Sequence, residues 1–115
     1  MKLTCITAAA SLVGMAFLAA VPAAEGGTQT GTITTLYVRD GDGLIYVYMT
    51  GTASGRPVCA TGSYWMVRAE NSEAGKRHFA ALLAAKLAGQ TVQIVGKNTC
   101  LRWVDGEDIE EVAVL

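Results

Sequence analysis

The chain has 115 residues, with nine Lys or Arg against ten Asp or Glu, one His and three Cys. That length suits one domain and nearly excludes two. The balanced charge lacks the basic excess on which nucleic-acid binding depends.

Residues 1–23 read as a secretory signal peptide. Lys2 is the only charge before an uncharged run from Cys5 to Ala20, and Val21, Pro22 and Ala23 follow. A short positive start, an apolar centre and small residues at the end are what signal peptidase requires. The alternative is a retained anchor, since the run is about 19 residues and a spanning helix needs about 20. Its Ala-rich, weakly hydrophobic character favours cleavage, and Cys5 lies too early for a lipoprotein. The expected mature domain is 24–115, exported to the periplasm or beyond. It carries eight basic and ten acidic side chains, a net charge of −2. Nothing after the leader is long and apolar enough to span a bilayer.

Two cysteines remain, Cys59 and Cys100. An even count in an exported chain reads as a disulfide. Two free thiols or a metal pair are the alternatives, and His78 alone makes a poor third ligand. No metal and no cofactor are expected.

Taken in chain order, Glu25–Gln29 is a polar lead-in expected to be mobile. Thr32–Arg39 is rich in β-branched residues and predicts strand one. Asp40-Gly41-Asp42-Gly43 predicts a tight hairpin turn. Leu44–Thr50 predicts strand two, with Leu44, Tyr46 and Tyr48 on one face and Ile45, Val47 and Met49 on the other. Gly51–Thr61 is a loop, and Tyr64–Arg68 a short third strand. A helix follows, capped by Asn71 or Ser72, with acid in its first turn. Its stripe is Phe79, Leu82, Leu83 and Leu87, and Gly89 ends it. Thr91–Val95 predicts strand four. Cys100–Trp103 and Ile109–Val114 frame strand five across Asp105-Gly106.

The order is β-β-β-α-β-β, mainly β with one helix. It is the order of the OB-fold, a small Greek-key barrel, here with one disulfide. Phe79 and Leu83 are expected to plug one end. A generic α+β sheet crossed by one helix is the alternative.

Three stretches carry a resemblance to a known family. The first is Thr30-Gly31-Thr32-Ile33-Thr34. The second is Cys59 with Tyr64-Trp65-Met66-Val67. The third runs from Gly75-Lys76 through Leu82-Leu83-Ala84-Ala85 and Ala88-Gly89-Gln90-Thr91-Val92-Gln93-Ile94 to Cys100, Trp103 and Asp105-Gly106. Together they resemble the subtilase cytotoxin B-subunit family of pentameric bacterial toxins. The resemblance implies an OB-fold, a homo-pentameric ring, a cell-surface sialoglycan as ligand and an A-type partner chain. It also implies a sugar-contacting hydroxyl just before the Gly that opens strand one. Thr30 takes that position, where the toxin has Ser. The toxin's nearby Asp has no counterpart, since Gly26 or Gly27 falls there.

No nucleophile and base stand in a catalytic pattern, so the chain reads as no enzyme. The acidic run Asp105, Glu107, Asp108, Glu110 and Glu111 reads as a solvated turn and a charged strand edge. Trp65 and Trp103 suit either core packing or sugar stacking. Tyr37, Tyr46 and Tyr48 suggest an interface or a sugar-binding face. The candidate glycan contacts are Thr30, Tyr64, Trp65 and Arg68. The functional expectation is an exported, non-enzymatic binding module. The alternative is a monomeric periplasmic OB-fold protein of structural or stress-related role without a glycan ligand.

Overall fold

The computed structural model describes Gly14 and residues 26–115. The expected leader, 1–23, lies outside the described residues apart from Gly14. Among the described residues no helix is long and apolar enough to cross a membrane.

Five strands and one helix follow in the expected order: β1 (Thr28–Val38), β2 (Ile45–Met49), β3 (Trp65–Met66), α1 (Glu73–Ala88), β4 (Thr91–Gly96) and β5 (Glu107–Val114). The strands close into a barrel in the order β1-β2-β3-β5-β4. All neighbours pair antiparallel except β3 and β5, which run parallel. This is an OB-type barrel. β1 serves two partners, β4 over Thr28–Thr32 and β2 from Ile33 to Val38, with a register shift between Ile33 and Thr35.

Alternation along the strands builds the core. Ile33, Val47, Trp65, Val67, Val92, Ile94 and Ile109 point inward, and Leu82 and Ala85 of α1 close the barrel end. Ser72 caps the helix by accepting from the Gly75 N–H at 3.0 Å, and Gly89 ends it in a left-handed conformation. The Cys59–Cys100 disulfide forms with Cα atoms 6.2 Å apart. It ties the β2–β3 loop to the β4–β5 loop.

Several expectations are corrected. The lead-in is ordered from Gly26 on, because Thr28 and Ser54 exchange two backbone hydrogen bonds of 2.9 Å and Thr28–Thr32 pair with β4. Gln29 is buried within β1 and accepts from the Trp65 indole at 2.8 Å. Tyr64 lies outside β3, because its carbonyl accepts from Arg56 instead of a neighbouring strand. Cys100–Arg102 form no strand. The Asp108 carboxylate takes the N–H groups of Leu101 and Arg102 and the Thr99 hydroxyl, bending the chain off the sheet. Phe79 and Leu83 do not plug the barrel. The helix crosses with Gly75, Leu82 and Ala85 inward, and Leu83 and Leu87 stay exposed. Leu83 lies one residue, and so about a quarter-turn, away from the inward Leu82.

The acidic run is not wholly solvated either. Glu107 and Asp108 have no exposed surface. Glu107 accepts from the N–H groups of Gly27 (2.9 Å) and Asn98 (3.1 Å), and the Arg56 guanidinium stands 3.4 Å away. Buried charge survives only when paired and hydrogen-bonded, and each carboxylate oxygen here has a donor.

Candidate functional site

The outward residues of β2 are Tyr46 and Tyr48, since Ile45, Val47 and Met49 turn to the core. Tyr37 of β1 stands directly opposite Tyr46 in the register, and the two rings stack at 4.7 Å and 16°. Tyr64 precedes Met66 by two residues and so shares its face. Its ring lies 5.3 Å from Tyr46 and 5.7 Å from Tyr48. Four tyrosines thus form one continuous aromatic surface on the outside of β1, β2 and the turn leading into β3.

Two loops border it. The β1–β2 turn contributes Arg39 and Asp42, paired at 2.7 Å, and Asp42 also accepts from the Leu44 N–H. The β4–β5 loop contributes Trp103, Asp105 and Gly106. The Gly62 N–H donates to the Asp105 carbonyl at 2.8 Å, and Trp103 bridges to Gly106. Gly106 is required here: a Cβ would stand 2.3 Å from the Tyr64 ring and 2.9 Å from Met66. Between the loops lies a cleft of about 180 Å³, lined by Arg39, Leu44, Tyr46, Tyr48, Tyr64, Met66 and Trp103. Leu44 and Met66 are buried and form its apolar floor, while Trp103 is 43% exposed.

The Tyr64 hydroxyl donates to the Asp105 carboxylate. Burial and then that hydrogen bond push the Tyr64 phenol well above the usual tyrosine range. It therefore remains a donor at any physiological pH. Beneath the aromatic surface, the Arg56 guanidinium stacks 4.4 Å over Trp65 and donates to the carbonyls of Gly62 and Tyr64, both at 2.6 Å. Burial lowers Arg56 from its ordinary value and Glu107 opposes the shift, so it stays charged. This network fixes the backbone at Gly62 and Tyr64.

The four sequence candidates fall in different places. Tyr64 lies in the cleft. Trp65 is fully buried, with its indole N–H committed to Gln29, so its ring offers no face to a ligand. Thr30 is exposed on β1 opposite Gln93, outside the cleft. It lies in a row of outward hydroxyls, with Thr28 near Ser54 and Thr32 near Thr50. Arg68 lines a separate broad groove with Lys97, Glu110 and Glu111, 3.7 Å from Asp108.

Arg39, Asp42 and Asp105 were not among the candidates. The Asp-Gly turns that hold the two aspartates were visible as turns, but nothing local shows that both border one cleft. Among the described residues no three His, Cys, Asp or Glu side chains gather as a metal site. No protein-family model, curated protein or solved structure matches the chain.

Proposed function

We propose that this chain is an exported, non-enzymatic binding module that holds a carbohydrate on its tyrosine surface. One observation carries the reading: Tyr37, Tyr46, Tyr48, Tyr64 and Trp103 gather on the outside of the barrel between the β1–β2 and β4–β5 loops. That is where OB-folds take oligosaccharides and oligonucleotides. Aromatic rings offer sugars an apolar contact face with polar groups at its edge. The net charge of −2 beyond the leader disfavours the oligonucleotide.

The resemblance to the subtilase cytotoxin B-subunit family adds Thr30 as a sialoglycan contact, a five-chain ring and an A-type partner. An exposed helix face supports self-association. Ala80, Leu83, Ala84 and Leu87 recur at helical spacing and all face outward.

The test is a glycan array probed with the oxidised protein, alongside its solution mass by light scattering. Glycan binding and a mass near five chains support the proposal. A monomer at all concentrations removes the ring. A monomer that also binds no glycan leaves an exported OB-fold protein of structural or stress-related role.

A further inference from the structure

We infer that the tyrosine cleft selects neutral sugars over acidic ones. The inference rests on the carbohydrate reading above and adds the ligand class to it.

The argument is a census of charge around the cleft. Three guanidinium groups stand near it. Arg39 is paired with Asp42 at 2.7 Å. Arg102 donates to Glu70 at 2.7 Å and to the Asp42 carbonyl at 2.8 Å. Arg56 lies beneath Tyr64, held by Glu107 and two carbonyls. Among the described residues, then, each guanidinium bordering the cleft already has an acceptor. An acidic sugar needs a free, preferably bidentate, cation for its carboxylate. Here it would have to share Arg39 with Asp42, whose carboxylate already holds one side of that guanidinium.

The carboxylates point the same way. Asp40 and Asp42 stand on the β1–β2 turn and Asp105 on the opposite loop. Among the described residues, Arg39 is the one cation placed against these acids that is not also tied to Glu70 or Glu107, so the rim is net negative. Like charge across a binding surface suppresses the wrong partner.

The same groups suit a neutral sugar. Its C–H face meets the rings of Tyr46, Tyr48 and Trp103 over the floor of Leu44 and Met66. Its hydroxyls are donors, and Asp105 uses only one oxygen on Tyr64. A carboxylate accepts through both oxygens, so the second serves a sugar hydroxyl. The indole N–H of Trp103 and the hydroxyls of Tyr46 and Tyr48 supply the complementary donors. The cleft's 180 Å³ is small beside the roughly 300–1,000 Å³ of larger ligand sites, so it seats one ring of a longer chain.

The experiment uses the full oxidised protein and two matched probes: neutral oligosaccharides of hexoses, and the same oligosaccharides capped with sialic acid. Affinities are read by calorimetry. In Thr30→Ala, which leaves the cleft as the site under test, the neutral probe is expected to bind about tenfold or more tightly than the capped one. Its affinity should change less than about twofold when salt is raised from low to physiological strength. Trp103→Ala should weaken neutral binding about tenfold or more without shifting the melting temperature. Asp42→Asn with Asp105→Asn should narrow the gap between the probes.

Equal or tighter binding of the capped probe, still lost in Trp103→Ala, overturns the ligand class and leaves the carbohydrate reading standing. Neutral binding abolished by Thr30→Ala and untouched by Trp103→Ala overturns the placement in this cleft. Failure of both probes and of a general glycan array overturns the carbohydrate reading itself, and this inference with it.

Discussion

Replacing Glu107 by Gln keeps the side-chain shape and removes one acceptor oxygen together with the charge. The carboxylate is fully buried and accepts from Gly27, Asn98 and Arg56. A glutamine turns an N–H₂ toward one of these donors, so one buried N–H is left without a partner, at a cost of about 1–3 kcal/mol. Breaking a buried ion pair by removing one member costs about 3–5 kcal/mol. Arg56 softens that figure, because it keeps its bonds to the Gly62 and Tyr64 carbonyls and its side chain is 11% exposed. The two effects overlap, and a loss of about 3 kcal/mol is expected. A domain of this size has roughly 5–13 kcal/mol in total, so the change removes about a quarter to three-fifths of it. The melting temperature should fall by roughly 12–24 °C. Urea titration followed by tryptophan fluorescence and far-ultraviolet circular dichroism measures the loss. The exposed Glu111→Gln serves as control, within about 0.5 kcal/mol of the parent. Adding Arg56→Met to Glu107→Gln should cost less than the sum of the single changes, since the orphaned charge goes with it. A loss below about 1 kcal/mol for Glu107→Gln would refute the account of this residue as the tie between the N-terminal strand, the β4–β5 loop and Arg56.

Three further outcomes are expected. Gly96→Ala should unfold the domain or nearly so, because a Cβ there stands 1.8 Å from Glu107 Oε2 and 2.8 Å from the Trp65 ring; thermal denaturation checks it. Leu82→Ala should cost about 2–5 kcal/mol by urea titration, whereas Leu87→Ser, on a side chain 80% exposed, should leave a monomer's stability nearly unchanged and lower the solution mass of any oligomer. Stability should fall in two steps as pH is lowered. Burial holds His78 below its ordinary 6.5, opposed by its hydrogen bond to the Glu110 carbonyl, so the unfolded chain binds that proton first and stability declines as pH drops through about 6.5. The hydrogen bond from Lys97 holds the Glu110 side chain below its ordinary 4.5, so its contribution persists above that value and is lost as pH falls through the lower folded one. His78→Gln should flatten the first step and Glu110→Gln the second in melting curves against pH, with Arg68 and Lys97 left in the same hollow.

The order of elements was legible because each rests on a local signal. The period-two patterns of Ile45–Met49 and Thr91–Gly96, the Asp-Gly turn, Ser72 ahead of the helix and Gly89 behind it all act within a few residues. The cysteine pair was legible for another reason: the leader-like start made export the expectation, and two cysteines in an exported chain have few other options. The outward tyrosines of β2 were also visible, since alternation alone separates them from Val47.

What local pattern could not decide was which side chains barrel closure would bury or bring together. Glu107 and Arg56 lie 51 residues apart, and no periodicity links them. Asp108 looked like a surface acid until the β4–β5 loop folded its N–H groups around it. Leu82 and Leu83 are neighbours of one residue type, and only the crossing of the helix over the barrel end chose Leu82. Composition and periodicity thus determined the elements, the fold class and the disulfide, because these follow from interactions between near neighbours and from the count of cysteines. Closure of β1 onto β4 and of β3 onto β5 decided the rest. It buried Trp65, and it set Tyr64 and Asp105 together, 41 residues apart, at the edge of the cleft.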